Sequence, residues 1–462
     1  MTTDAVLRSG TRLLPKSVQE FLDRHTASPL AVRLIQGSLW SFGGSLASRV
    51  FGLLAAVFVA RMLGKATYGQ LGIMQSTIGM FGALAGFGMG TAASKFVAEF
   101  RHLDPARAGR VIALSSVVSW TSGITLAAAL FVLAPQLADG ALASPALGPY
   151  IRLSALLLLL NTVNGAQLGV LCGFEAFRAV SWINGLIGLL GLPLIVGGAL
   201  LFQLWGVVWG LILAQATGCL ATVRIRNREA ARLHIPIPSW SRTGSELPLV
   251  WQFALPATLG CLLVNPVNWA CTAMLAVQPN GWEHVGALNA ANQWFGALLW
   301  FPYLIAQSVM PILSERIGAN DNARSAKVVI ASVKVTAAMT LPLVIVGSLL
   351  SKYIMGAYGK EFVGDWPTLV VSLATCAVVA VQVPVGNLLA ASGRMWDGLG
   401  MNLLWAVVFL VSTWFALDWG VLGLVSARLV AHVAQGVWSC VFAVLWVRST
   451  ARTPATTAET WA

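Results

Sequence analysis

The fold class the sequence predicts is an all-α polytopic membrane protein, with twelve transmembrane helices in two six-helix lobes around a central cavity. Three observations predict it. The 462 residues are 57% hydrophobic and only 10% charged, whereas roughly 25% of residues are charged in soluble domains. Mean hydropathy is +0.77, and apolar runs recur from end to end at about the 20-residue length that crosses a bilayer. One long hydrophilic interruption, from Arg224 to Leu247, parts those runs into six and six. A water-soluble enzyme is excluded.

Cutting the chain at polar, charged and Gly/Pro-rich breaks puts the spans at residues 35–60, 68–91, 111–134, 150–171, 181–203, 206–223, 249–277, 285–312, 328–350, 367–390, 399–417 and 420–447. Each is expected to be a helix, because a lipid-exposed segment must satisfy its own backbone. Residues 1–34 carry Arg8, Arg12, Lys16, Arg24 and Arg33 with no apolar region ending in a cleavage site, so they are expected to stay as a cytoplasmic segment. The lobes are then 35–224 and 248–447, joined by a cytoplasmic linker at 225–247 and followed by a cytoplasmic tail at 448–462. With the N-terminus inside, 21 Lys and Arg fall on inner segments and five on outer loops (Arg61, Lys65, Arg152, Lys352, Lys360). That bias orients a multi-pass protein of the bacterial inner membrane with both termini cytoplasmic.

Three landmarks suggest an internal duplication. Trp205-Gly206-Val207-Val208 returns as Trp419-Gly420-Val421-Leu422, Ala108-Gly109-Arg110-Val111-Ile112 as Ala326-Lys327-Val328-Val329-Ile330, and Tyr68-Gly69 as Val285-Gly286, at offsets of 214, 218 and 217 residues. An even number of spans per half relates the halves by an axis along the membrane normal, with a binding site expected between them.

The net charge of +12 follows from basic inner loops and needs no nucleic-acid partner. Six cysteines stand singly, without metal-ligand spacing, so no metal or cofactor is expected. All 17 carboxylates fall in termini, loops or span ends, which leaves a cationic interior. Charged groups within a span are functional candidates by default. Arg49 lies deep in the first span. Arg428 and His432, four residues apart in the last, share a helix face that would suit an anion; Lys334 is close enough to a span end to snorkel. Neutral candidates are Asn265, Asn268 and Trp269 in the seventh span and Asn289, Asn292, Gln293 and Trp294 in the eighth. Amides both donate and accept hydrogen bonds, and with indole faces they suit sugars; the alternative is interhelical glue.

Several segments resemble the lipid-linked oligosaccharide (O-antigen type) flippases of the multidrug/oligosaccharidyl-lipid/polysaccharide exporter superfamily. They are Gly37-Ser38-Leu39-Trp40, Ala60-Arg61-Met62-Leu63-Gly64 with Tyr68-Gly69, Lys95-Phe96-Val97-Ala98-Glu99-Phe100-Arg101 leading to Asp104-Pro105, Gly173-Phe174-Glu175-Ala176-Phe177-Arg178, and Ala290-Ala291-Asn292-Gln293-Trp294. The resemblance implies two lobes around a cavity that opens alternately to either side. The cargo it implies is an undecaprenyl-diphosphate-linked glycan, handed on from glycosyltransferases to a polymerase of one surface-polysaccharide pathway. Ser48-Arg49-Val50-Phe51-Gly52 further resembles the first-helix motif of lipid II flippases, whose arginine meets the diphosphate. Ala55-Ala56 stands where those proteins carry an Arg-Asp pair, and they have fourteen spans, so lipid II itself is not the implied cargo.

Arginine suits bidentate phosphate contacts, so Arg49 and Arg428 are expected to hold the headgroup, with the amides on the sugars and the prenyl tail in the bilayer. The expected protein is a transporter and not an enzyme. The competing readings are a multidrug and toxin extrusion type cation antiporter, which wants a buried carboxylate, and a membrane-embedded glycan polymerase or ligase, which wants an outer domain; a scaffold without transport would leave Arg49 unexplained.

Overall fold

The computed structural model describes residues 29–86, 88–238, 246–247, 263–318 and 322–451, and every regular element among them is a helix. Pro29–Ala85 breaks at Gly64, where a φ of 76°, open to glycine, turns the chain within one residue; its arms are α1 (29–63) and α2 (65–85). There follow α3 (Met89–Leu103) and α4 (Pro105–Gln136), whose start is capped by Asp104 accepting the Arg107 N–H at 2.9 Å. After α5 (Gly148–Gly173), Phe177–Arg232 breaks at Phe202 and Gln203 into α6 (177–201) and α7 (204–232). The rest are α8 (Val264–Ala276), α9 (Gly281–Gly318), α10 (Asn322–Leu349), α11 (Ser351–Tyr358), α12 (Trp366–Ala391), α13 (Met395–Ala416) and α14 (Gly420–Ala451).

Seven helical stretches are long and apolar enough to cross a bilayer. Three of them (Gly43–Ala85, Phe177–Arg232 and Met395–Trp446) each hold two crossings joined by a tight turn, and with α8 and α9 the total is the twelve read from sequence. The first part of the seventh expected span, 249–262, lies outside the described residues. Two boundaries differ from expectation. The second crossing does not stop near residue 91: it breaks at Gly88 (φ 60°) and continues as α3 along α5, with the Gly90 backbone beside Gly165 and Gly169. The eighth runs 281–318 instead of 285–312. Both helices project beyond the apolar slab, where hydropathy cannot follow them.

The duplication is written into the turns. Positive-φ residues recur as Gly64 and Asn280, Ala143 and Gly359, Glu175 and Gly393, and Gln203 and Gly420, at offsets of 216, 216, 218 and 217 residues. Contacts between the halves obey the same exchange. Gly69 lies against the Trp282 carbonyl and Gly286 against the Lys65 carbonyl, while Gly72 packs on Asn289. Adding 217 to Lys65, Gly69 and Gly72 gives Trp282, Gly286 and Asn289, so α2 and α9 cross on the pseudo-two-fold axis, in the self-complementary pattern of an isologous contact. Any Cβ at Gly69 or Gly286 would run into the facing backbone; small residues are what allow membrane helices this close.

Among the described residues the lobes, α1–α7 and α8–α14, share a core at one end. The largest core cluster draws on both: Tyr68 (1% exposed) meets Tyr358 in a tilted and Phe362 in an edge-on arrangement, at centroid distances of 6.2 and 6.1 Å. Lys65 Nζ pairs with Asp365 at 2.6 Å, and Arg61 Nε donates to the Ala357 carbonyl at 2.5 Å. At the other end the cores separate into one built from the N-terminal lobe (Val97, Ile112, Phe174, Ile235) and one from the C-terminal lobe (Leu313, Leu388, Met401, Phe442). This second end carries the linker, where Glu246, 4% exposed, accepts from Arg107 at 3.2 Å and Arg110 at 3.1 Å. The lobes therefore meet at the face opposite the linker and part toward the linker face.

Gly286→Leu should wedge α2 from α9. Overpacking costs about 1–3 kcal/mol, and each ~1.4 kcal/mol is tenfold in an equilibrium, so the sealed state should lose roughly 5- to 100-fold in population. Pulsed electron–electron resonance between spin labels at the exposed Leu201 and Tyr353 should gain a longer-distance population; an unchanged distribution would contradict the seal.

Candidate functional site

Beneath the seal the diverging lobes enclose a cavity of about 300 Å³ walled by α2, α8, α9 and α14. The seal makes its roof, because α2 and α9 touch at Gly69 and Gly72 and then diverge. Its polar wall is Gln75 and Ser76 from α2, Asn268 and Thr272 from α8, Asn289 and Asn292 from α9, and Arg428 from α14. No carboxylate among the described residues lines it, so its sign is that of Arg428.

Arg428 is 6% exposed. Its Nη1 donates to Asn292 Oδ1 at 2.8 Å, the guanidinium carbon stands 5.6 Å from the Phe295 ring centre, and Nε is buried with no acceptor. No acid among the described residues pairs with it. A cation taken out of water with one neutral partner is costly unless a counter-charge arrives, which makes this cavity a receptor for an anion.

The other sequence candidates divide between cavity and scaffold. Asn268 and Asn292 line the cavity; Asn268 commits its Nδ2 to the Val264 carbonyl at 2.8 Å. Asn265 and Trp269 stitch the lobes together instead: Asn265 Nδ2 donates to the Gly79 carbonyl at 3.3 Å and Trp269 Nε1 to Thr77 Oγ1 at 2.9 Å. Gln293 sits by the buried Tyr68 hydroxyl, in the seal. The expected shared face of Arg428 and His432 is parted. Arg428 turns to α9, whereas His432 Nε2 accepts from Trp405 Nε1 at 3.2 Å and its carbonyl from Gln382 Nε2 at 2.8 Å. Residues four apart on a helix are turned by about 40° from one another, enough inside a bundle to meet different neighbours. Arg49 meets the same helix, α9, four residues beyond Asn292. It is exposed at the gap between the lobes, donating from Nη1 to the Gly296 carbonyl at 3.2 Å, with Trp300 5.4 Å away, and the rest of its guanidinium is open.

Sequence reasoning missed Gln75, Ser76 and Thr272, and also a second pocket of about 310 Å³ inside the N-terminal lobe, whose polar groups are Ser48, Gln75, Asn161 and Gln215. A signal existed. With the offset of 217, Gln75 is the counterpart of Asn292 and Gln215 that of His432, both already singled out.

Removing one partner of the Arg428–Asn292 pair should have unequal consequences. Asn292→Leu strands a buried cation and should lower stability by about 1–3 kcal/mol, whereas Arg428→Met removes charge and need together and should be neutral or stabilising. Thermal unfolding in detergent measures both; equal melting temperatures would mean that water, not Asn292, satisfies the guanidinium.

Residues 34–316 match the family model described as polysaccharide biosynthesis protein, and residues 256–416 match MatE. The EPS I polysaccharide export inner membrane protein EpsE of Ralstonia nicotianae is 23% identical over 405 residues, 84% of this chain and 88% of its own. The lipid III flippase of Escherichia coli K12 is 28% identical over 276 residues, 58% of this chain and 64% of its own. Among solved structures, an inward-facing multidrug resistance MATE family transporter of the MOP superfamily superposes with a TM-score of 0.76 at 14% identity, covering 90% of this chain and all of that one, a likeness of fold. With more than half its length matched by one family model and its helices in that superfamily's arrangement, the chain belongs to the polysaccharide biosynthesis protein family.

Proposed function

We propose that the protein is a flippase that carries an undecaprenyl-diphosphate-linked oligosaccharide from the cytoplasmic to the outer leaflet of the inner membrane by alternating access, for surface polysaccharide such as O-antigen, capsule or exopolysaccharide. The linker face is then cytoplasmic, as are both termini. The observation that carries this reading is Arg428, a buried cation without a carboxylate partner among the described residues, in a cavity between two lobes that part toward the linker face. A diphosphate supplies the missing counter-charge, and the guanidinium fork matches its oxygens. The names of the relatives, a polysaccharide exporter and a lipid III flippase, support the same cargo class.

In this cycle the cargo's headgroup meets Arg49 at the linker-face gap and moves inward to Arg428, while its prenyl tail remains in lipid. Pairing of the diphosphate with Arg428 relieves the cost of that buried cation, so the loaded protein is more stable closed around its cargo than the empty one. Outward opening then requires α2 and α9 to separate at Gly69 and Gly286 and the Lys65–Asp365 pair to break. Glycosyltransferases of the same pathway would supply the cargo and a polymerase consume it; the chain itself makes and breaks no covalent bond.

The MatE match and the shared fold favour a second reading, a cation antiporter. The central cavity opposes it. An organic cation there would be repelled by Arg428 and find no carboxylate among the described residues that line it.

Arg428→Ala should reduce surface polysaccharide at least tenfold at matched expression and cause the lipid-linked oligosaccharide to accumulate on the cytoplasmic side. Arg428→Lys should retain part of the activity, since it keeps the charge and loses the fork; Arg49→Ala should also lower export. Undiminished glycan in Arg428→Ala, or raised drug sensitivity in place of glycan loss, would overturn the proposal.

A further inference from the structure

The pocket inside the N-terminal lobe lies between α1, α2, α5, α6 and α7, beside the central cavity, and Gln75 lines both. Its other polar groups are Ser48, Asn161 and Gln215, and no charged side chain belongs to its wall. Neighbouring polar groups of the same lobe are engaged. Asn164 accepts from Thr222 at 2.8 Å, and Gln167 donates to Ser116 at 3.1 Å and accepts from Arg226 at 2.5 Å. Among the described residues Gln75, Asn161 and Gln215 have no such partner. Amides at membrane depth ordinarily find one on an adjacent helix, so three turned to one pocket point to a ligand that brings hydroxyls.

The duplication sharpens this, because among the described residues of the C-terminal lobe the equivalent place holds a bulky side chain. The residue 217 after Gly188 is Trp405, and the residue 217 after Gln215 is His432. Trp405, 2% exposed, fills the equivalent space and donates to His432 at 3.2 Å. The fold therefore tolerates a plugged version of the pocket, and in the N-terminal lobe the plug is a glycine. The two amides on the axis helices differ in the same way: Asn292 holds Arg428, while its counterpart Gln75 is uncommitted.

We propose that this pocket is a sugar subsite, taking a neutral polyhydroxylated unit of the cargo while Arg428 takes the anionic part; the assignment rests on the flippase reading above. Amides offer hydroxyls both donors and acceptors, Phe51 offers an apolar wall, and the absence of charge disfavours a cation or a second phosphate. The volume of about 310 Å³ is at the lower end of small-ligand pockets, ~300–1,000 Å³. It suits one or two sugar rings rather than a whole chain. Gln75 lies where the two parts of one molecule would join.

The test is binding by the full-length protein in nanodiscs to two probes: undecaprenyl diphosphate, and the lipid-linked oligosaccharide extracted from a strain lacking the gene. The wild type should bind the glycosylated lipid more tightly. Asn161→Leu with Gln215→Leu should weaken glycolipid binding about tenfold and leave bare diphosphate within twofold. Gly191→Leu fills the pocket from another side, since a Cβ there meets only side-chain carbons at 3.7 and 3.9 Å; it should do the same and serves if the double variant fails to fold. Arg428→Ala should weaken both probes. Equal loss of both probes in the pocket variants, or no loss of either, overturns the subsite alone. Failure of the wild type to bind either lipid, or an Arg428→Ala protein that binds both normally, overturns the flippase reading and the subsite with it.

Discussion

The backbone-on-backbone crossing of α2 and α9 is the contact on which the rest of the architecture hangs. Gly69 and Gly286 let two backbones meet on the pseudo-two-fold axis, and in a bilayer, where lipid tails compete equally for apolar surface, such close packing is what holds helices together. Everything near it is tied across the lobes: the Tyr68, Tyr358 and Phe362 rings, the Lys65–Asp365 pair, and Trp269 on Thr77. Farther along the same helices the lobes have separate cores. A seal at one end of a pair of diverging helices necessarily encloses a space, and the polar wall of that space includes whatever α2 and α9 carry about two turns below the glycines. Here that is Gln75 and Asn292.

The duplicated halves share a backbone plan and have divided the chemistry. Turns with positive φ recur at offsets of 216 to 218 residues, so the two lobes bend at the same places. Their interiors do not match. The C-terminal lobe supplies the cation, Arg428, and closes its own interior with Trp405 and His432; the N-terminal lobe supplies no cation to the central cavity and keeps an open, neutral pocket behind Gln75. A cargo that is anionic at one end and hydroxylated at the other asks for this inequality, which a symmetric cavity could not provide. Arg49, exposed at the gap and held by the Gly296 carbonyl, is available to an anion before Arg428 is.

Much of this was legible in the residues. The twelve crossings were, because a 20-residue apolar run reports its own burial in lipid whatever its neighbours do. A polar group inside a span announces itself by its cost, which is why Arg428 and Asn292 stand out in the residues as candidates. Residue type leaves the choice open where partners decide. Asn265 and Trp269 suit sugars or interhelical ties equally, and their side chains bond across the lobes; His432 lies four residues from Arg428 yet bonds Trp405. Gln75, Asn161 and Gln215 were passed over because an amide within a span is ordinarily spent on a neighbouring helix, and no local feature distinguishes a spent amide from a free one.

The sequence by itself determined an all-helical membrane protein of two matched halves with an interior free of acids, because hydropathy, charge placement and repeat spacing are properties of residues taken in order. Only the tertiary structure decided which face is sealed, that Arg428 is buried while Arg49 is exposed, and that Trp405 stands in one lobe where the other has Gly188. Those outcomes depend on how each helix is rotated and how closely it is approached, and side chains hundreds of residues apart in the chain settle both.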